Sequence, residues 1–265
     1  LSKLLSGGEP SQPCGLDFPD SKSGLRAPAN ACSTGSSCQG RTLRYKCIFL
    51  DHDDTAVDST PSIHYKAHIE VMKIMRPHLP HLSLDDWFRK NFDPGIMGYM
   101  KGELGMTDEE IQIEYNIWRD YAKTIIPDFF PGIIETLIQY KKLGGKVVVV
   151  SHSDKDLIER DYRAKGFCGD ESFFPDMIFG WTTDATKRKP APWPVLSALE
   201  AFGIAPKDSV IIDDLKPAVI MGRSAGVDVA AAGWAYNIPE IKAYMKENSV
   251  VYLNSVEEFK NFLLG

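Results

Sequence analysis

From residue 129 onward the chain alternates short apolar runs with amphipathic stretches, and this alternation restricts the fold more than any other feature. PGIIETLIQYKKLGG, KVVVVS, DKDLIERDYRAKGF, DMIFGW, PWPVLSALEAFG, SVIIDD, KPAVIMGRSAG and VDVAAAG follow one another, and IPEIKAYMKEN, SVVYLNS and VEEFKNFLL close the sequence. Runs such as KVVVV are too short for buried helices and rich in β-branched residues, so they read as buried strands. The stretches between them carry apolar residues at helical spacing, with Pro at helix starts and Gly at helix ends. Strands alternating with single helices build right-handed crossovers, hence an α/β fold with a parallel sheet covered on both faces. YKCIFL, ending at Leu50, reads as one further buried strand, separated from the others by a long insert.

The insert, residues 60–128, is predicted to be helical. Thr60-Pro61 is a good helix start, and Ser83 with Asp86 and Thr107 with Glu110 have the spacing of helix caps. A break rich in Gly and Pro, DPGIMGYMKGELG, interrupts it. Residues 1–43 are different in kind: rich in Ser, Gly and Pro, they bury too little apolar surface to offset the entropy of ordering. They are expected to be a low-complexity, disordered extension, with a targeting remnant as the alternative reading. The core is expected to comprise 44–59 together with 129–265.

A net charge of −6 argues against a nucleic-acid partner, which would call for a basic stripe. No apolar run approaches the roughly 18–20 residues of a membrane span. The five cysteines, Cys14, Cys32, Cys38, Cys47 and Cys168, are odd in number and form no C-x-x-C pair, which points to free thiols and a cytoplasmic setting rather than a zinc site. Nothing in the sequence separates a monomer from a homodimer.

In sheets of this kind ligands bind beyond the carboxyl ends of the strands. There the sequence places Asp51, His52, Asp53, Asp54 and Thr55 after the first strand, Ser151, His152 and Ser153 after KVVVV, and Asp213 and Asp214 after SVII. Lys187, Arg188 and Lys189 lie in the loop after DMIFGW. Crowded carboxylates repel one another unless a positive charge lies among them. Carboxylates from two strand ends suit a hard divalent cation, most simply Mg²⁺, which recruits phosphate; a lysine and a hydroxyl would complete neutralisation of the phosphoryl oxygens.

These segments resemble the four motifs of the haloacid dehalogenase-like (HAD) hydrolase superfamily. FLDHDDTAVDS is similar to its D-x-D-x-T signature, VVVVSHS to its second motif, RKPAPWP to its Lys-Pro-x-Pro motif, and VIIDDLKPAVIMGRSAGV to its acidic fourth motif. The resemblance covers about residues 44–265. It implies a Rossmann-like three-layer core with an inserted all-helical cap, as in the phosphoglycolate phosphatase and β-phosphoglucomutase branch. It also implies a Mg²⁺-dependent phosphatase acting on a small phosphorylated metabolite. Asp51 would be the nucleophile and Asp53 the general acid/base. Ser151 and Lys189 would complete the catalytic set, and Thr55, His152 and Ser153 would contact substrate. Asp51, Asp53, Asp213 and Asp214 would hold the metal, Asp53 through its backbone carbonyl. One departure is Asp54, where many members have Gly, and altered packing at the cap hinge is expected there.

A sugar phosphomutase shares this whole set and is the nearest alternative. A dehalogenase has no use for Asp53 or the Asp213–Asp214 pair, and a phosphonate hydrolase would need a cap lysine that cannot be assigned. A phospho-signalling receiver is disfavoured because too little chain follows Asp214. His64 and His68 have the i, i+4 spacing of a metal pair but lack a supporting motif. Alternatively, His64 or Lys66 would face substrate. Met97, Tyr99, Met100 and Lys101 are candidates for a specificity loop, whereas Trp181 and Trp193 are expected to be packing residues.

Overall fold

A computed structural model describes residues 43–265; the expectations for the amino-terminal extension and its three cysteines lie outside the described residues. Strand β1 (Cys47–Leu50) leads into a short strand β2 (Val57–Asp58), after which the insert begins. A π-helical turn over Thr60–His64 runs directly into α1 (Tyr65–Met75), followed by α2 (Leu84–Phe92), a second π-helical segment over Gly98–Glu103, and α3 (Asp108–Thr124). The chain returns through β3 (Asp128–Phe129), which pairs antiparallel with β2. This two-stranded ribbon is where the chain both leaves and re-enters the core. The ribbon and both π-helical segments were not anticipated, because elements of two to six residues carry no period.

The remaining elements are α4 (Ile133–Lys142), β4 (Lys146–Val150), α5 (Lys155–Lys165), the hairpin strands β5 (Phe167–Cys168) and β6 (Glu171–Ser172), β7 (Met177–Phe179), α6 (Trp193–Phe202), β8 (Ser209–Asp213), α7 (Lys216–Ala225), β9 (Asp228–Ala232), α8 (Pro239–Asn248), β10 (Val251–Leu253) and α9 (Val256–Leu264). Six strands form one parallel sheet in the order β10-β9-β8-β1-β4-β7. Alternate side chains of each strand face opposite layers. Ile48, Leu50, Val147, Val149, Val210 and Ile212 pack with α4, α5 and α9, while Phe49, Val148, Val150 and Ile211 pack with α6, α7 and α8. The result is a Rossmann-like core of three layers with a helical cap. Cys47 and Cys168 are free thiols, and burial pushes the Cys47 thiol up to about 12.

Both helix caps read from sequence form in the insert. Ser83 Oγ accepts from the Asp86 amide at 3.1 Å, and Thr107 with Glu110 makes a reciprocal capping box. The insert is also fastened to the core. Arg160, on α5, donates to the carbonyls of Ala122, Lys123 and Ile125, satisfying oxygens at the end of α3 that lack an intrahelical partner. Arg119 pairs with Asp154 and Asp156, and Phe88 stacks on Tyr236 with ring centroids 4.2 Å apart. Among the described residues no helix is long and apolar enough to cross a membrane.

Candidate active site

β1, β4 and β8 are central neighbours in the sheet, so their carboxyl ends deliver Asp51, Ser151 and Asp213 side by side. A cavity of about 180 Å³ opens there, floored by these strand ends and roofed by the insert. Asp51, Asp53, Ser151, His152, Ser153, Lys189 and Asp214 all line it.

Asp51, Asp213 and Asp214 each offer an oxygen within 4.8 Å of the others, and all three are buried. Lys189, itself only 5 % exposed, places Nζ 2.8 Å from Asp51 Oδ1 and 2.9 Å from Asp213 Oδ2. Burial alone would depress the lysine; the two carboxylates outweigh it and hold the ammonium well above its ordinary range. One ammonium against three carboxylates leaves the cluster short of positive charge. Burial, and after it the neighbouring Asp213, drives both Asp51 and Asp214 well above the usual carboxylate range. A hard, oxygen-seeking divalent cation would relieve that repulsion, and the donor set of buried carboxylate oxygens fits one.

Asp53 has a separate environment. Its carboxylate accepts from Ser59 Oγ at 2.7 Å, His64 Nε2 at 2.8 Å, Ser153 Oγ at 2.6 Å and Ser151 Oγ at 3.1 Å. Burial pushes this carboxyl up, but His64 and the donated hydrogen bonds outweigh it and hold Asp53 well below its ordinary range. The indole N–H of Trp118, on α3, donates to His64 Nδ1 at 2.7 Å. With Nδ1 accepting, the imidazole proton resides on Nε2 and points at Asp53. His64 is therefore a residue of the site, reached from the cap, and it does not pair with His68. His68 is buried against Trp87, with ring centroids 4.2 Å apart, and burial lowers it to about 4.

The remaining residues are divided between the cavity and its surroundings. Thr55 does not line the cavity; its hydroxyl donates to Asp214 Oδ1 at 3.2 Å from behind the acidic cluster. Tyr236, which the motifs do not mark, donates to Asp214 Oδ2 at 2.9 Å. His152 reaches the cavity wall and lies 3.0 Å from the Lys189 carbonyl; burial and the lysine lower it to about 4, so the neutral ring donates Nε2–H there. His52 faces away from the cavity toward Asp161, at 3.2 Å. Trp181 lines the cavity rather than only packing, whereas Trp193 is 41 % exposed and rests edge-on against Phe179. Of the Gly-rich segment, Met97 and Met100 reach the cavity, while Tyr99 packs on His68 and Lys101 pairs with Asp108.

Asp54 explains its own departure from glycine. Its φ of 58° is left-handed, a conformation that Gly adopts freely and Asp tolerates better than most residues. The carboxylate in return accepts from the Thr60 amide at 3.1 Å and from the Thr60 hydroxyl, anchoring the first turn of the insert.

Comparison with known proteins agrees with this architecture. Residues 48–232 match the family described as haloacid dehalogenase-like hydrolase. The phosphoglycolate phosphatase of Aquifex aeolicus is 26% identical over 196 residues, covering 72% of this chain and 86% of the relative. That of Nitrosospira multiformis is 24% identical over 200 residues, covering 74% and 86%. Among solved structures, a haloacid dehalogenase-like family hydrolase from Streptococcus pneumoniae superposes with a TM-score of 0.64 at 21% identity, over 83% of this chain and 98% of that one. A HAD family hydrolase from Deinococcus radiodurans, solved with phosphate and sodium bound, gives 0.59 at 18% identity, over 83% and 98%. With most of the chain matched and its strand-end residues gathered in one cavity, the protein belongs to the haloacid dehalogenase-like hydrolase family.

Proposed function

We propose that the protein is a Mg²⁺-dependent phosphatase that hydrolyses a small phosphomonoester through a phosphoryl group carried on Asp51. The observation that supports this best is the division of the site's acids into two unlike environments. Asp51 lies with Lys189 in the charge-deficient cluster, and Asp53 sits apart with its own donors. The relatives named phosphoglycolate phosphatase support the reaction class.

Asp51, Asp213 and Asp214 would hold Mg²⁺, which when bound supplies the positive charge that keeps Asp51 ionised and attracts phosphate. An Asp51 carboxylate oxygen forms a bond to phosphorus while the bond from phosphorus to the alcohol oxygen breaks. Asp53 gives its proton to the departing oxygen. In the second half, Asp53 as carboxylate takes a proton from water, whose oxygen bonds to phosphorus and releases Asp51. Lys189 offsets negative charge throughout.

Ser151 and Ser153 have a double part in this scheme. Without substrate, both hydroxyls donate to Asp53. A phosphoryl oxygen competes for the Ser151 hydroxyl, and each donor drawn away from Asp53 raises its affinity for a proton. Substrate binding thereby readies Asp53 as an acid. The aromatic and methionine walls offer few hydrogen-bond partners to a hexose, which favours hydrolysis over sugar phosphomutation.

Phosphate release from a panel of phosphomonoesters, with and without Mg²⁺, tests the reading. Release that requires Mg²⁺ and disappears in Asp51→Asn is expected. Undiminished release by Asp51→Asn, or isomerisation of a hexose 1-phosphate without release, would contradict it.

A further inference from the structure

The leaving-group half of the cavity differs in composition from the phosphoryl half. Its walls include Trp87, Met97, Met100, Tyr115 and Trp118 from the insert and Trp181 from the core. One carboxyl group stands among them: Glu114, on α3, one helical turn before Trp118. Among the described residues no ion pair and no hydrogen bond stabilises it, His64 being the one group whose charge would act on it. Burial pushes the carboxyl up to about 7, so it is held there at a cost unless a ligand cation restores its charge.

The ammonium and imidazole groups at the cavity already have partners. Lys189 lies between Asp51 and Asp213, and His64 is turned to Asp53. Among the described residues neither arginine nor a second lysine lines the cavity, and Arg188 lies over the Trp181 ring with Cζ 4.1 Å from its centroid. A carboxylate on the leaving group, such as that of glycolate, would find no counter-charge and would face Glu114. A neutral polyol fares little better, because the Tyr115 hydroxyl is committed to Asp154 at 2.7 Å and the Asn91 amide donates to the Trp87 carbonyl at 2.8 Å. Tryptophan and tyrosine rings beside an unpaired carboxylate instead match an alkylated ammonium group, which is attracted to ring faces and asks for no hydrogen-bond acceptors.

Building on the phosphatase reading, we propose that the substrate is the phosphomonoester of an N-alkylated amino alcohol, its ammonium group seated against Glu114 and the aromatic wall and its phosphoryl group at Asp51. Glu114 is then the residue that determines specificity. It selects the charge of the leaving group, while the surrounding rings and methionines select its alkyl shape.

The test compares choline phosphate with 3,3-dimethylbutyl phosphate, which has the same shape without the charge, and with phosphoglycolate. kcat/KM is measured for the wild type and Glu114→Gln, and binding of choline itself is followed by tryptophan fluorescence. The wild type should prefer choline phosphate to its neutral isostere by about tenfold or more, and Glu114→Gln should erase about tenfold of that ratio and weaken choline binding in step. A ratio near one, a preference for phosphoglycolate, or a ratio untouched by Glu114→Gln overturns the inference and leaves the phosphatase reading standing. Choline binding that depends on Glu114 without hydrolysis of any ester would uphold the ammonium site and overturn the phosphatase reading.

Discussion

His64 Nε2 lies 2.8 Å from Asp53 Oδ1, so a residue of the helical insert holds the acid/base candidate of the core. The Trp118 indole fixes the ring's tautomer from the other side. The chain Trp118–His64–Asp53 thus ties the position of the insert to the proton affinity of the site.

Replacing His64 with Ala removes one donor from the Asp53 carboxylate. Asp53 is held low by its donors, so losing one raises it, and the alkaline limb of the kcat/KM profile, which Asp53 sets as the acid of the first half-reaction, moves to higher pH. A loss of about tenfold to a hundredfold in kcat is expected. A pH–rate profile of His64→Ala against the wild type checks both the loss and the direction of the shift.

Tyr236→Phe removes the hydroxyl that orients Asp214 without disturbing the ring that stacks on Phe88. Partners standing behind a metal ligand tune its hold on the metal, and Asp214 is a proposed Mg²⁺ ligand. The concentration of Mg²⁺ giving half-maximal activity should rise about tenfold, with kcat at saturation little changed. Titrating activity with Mg²⁺ measures this directly.

Two substitutions separate the roles of Asp54. Asp54→Gly loses the carboxylate that anchors Thr60 but suits the left-handed backbone; Asp54→Ala loses the anchor and suffers the backbone as well. Asp54→Ala should therefore be less stable than Asp54→Gly by about 1 kcal/mol in denaturant unfolding.

Glu114 predicts a pH dependence of stability for the unliganded protein. Its carboxyl is raised from 4.5 to about 7 in the folded state. Between those values the folded chain binds more protons than the unfolded one, so this contribution is present at low pH and is lost as pH rises through 7. Glu114→Gln, which does not titrate, should exceed the wild type in stability at pH 8 by about 1–2 kcal/mol, with the difference vanishing near pH 4. Chemical unfolding at the two pH values decides this.

The sheet and the floor of the site were legible because both depend on local order. KVVVV and SVII can be little else than buried strands, and polar residues directly after them must stand at the sheet's carboxyl edge. The roof was legible only in part: His64, Met97 and Met100 were named as candidates and line the cavity, but the groups they meet there were not. Whether His64 meets Asp53, or Glu114 enters the cavity, depends on the rotational phase of helices set by the π-helical turn at Thr60–His64 and the ribbon at Val57–Asp58. Neither feature has a periodic signature. Tyr236 lies in a loop 22 residues beyond Asp214, and only the folding of β9 back beside β8 brings them together. The Thr60-Pro61 start of the insert and the capping box at Thr107 were readable, since such starts are patterns of near neighbours.

The proposed mechanism makes Asp51 the residue that becomes phosphorylated. Enzyme mixed with substrate for a fraction of a turnover, quenched in acid and reduced with borohydride, converts a phosphorylated aspartate to homoserine. Mass spectrometry of the peptide spanning β1 should find homoserine at position 51 and nowhere else. Unmodified Asp51 in enzyme that is turning over, or homoserine at Asp53 or Asp214 instead, would rule out Asp51 as the nucleophile.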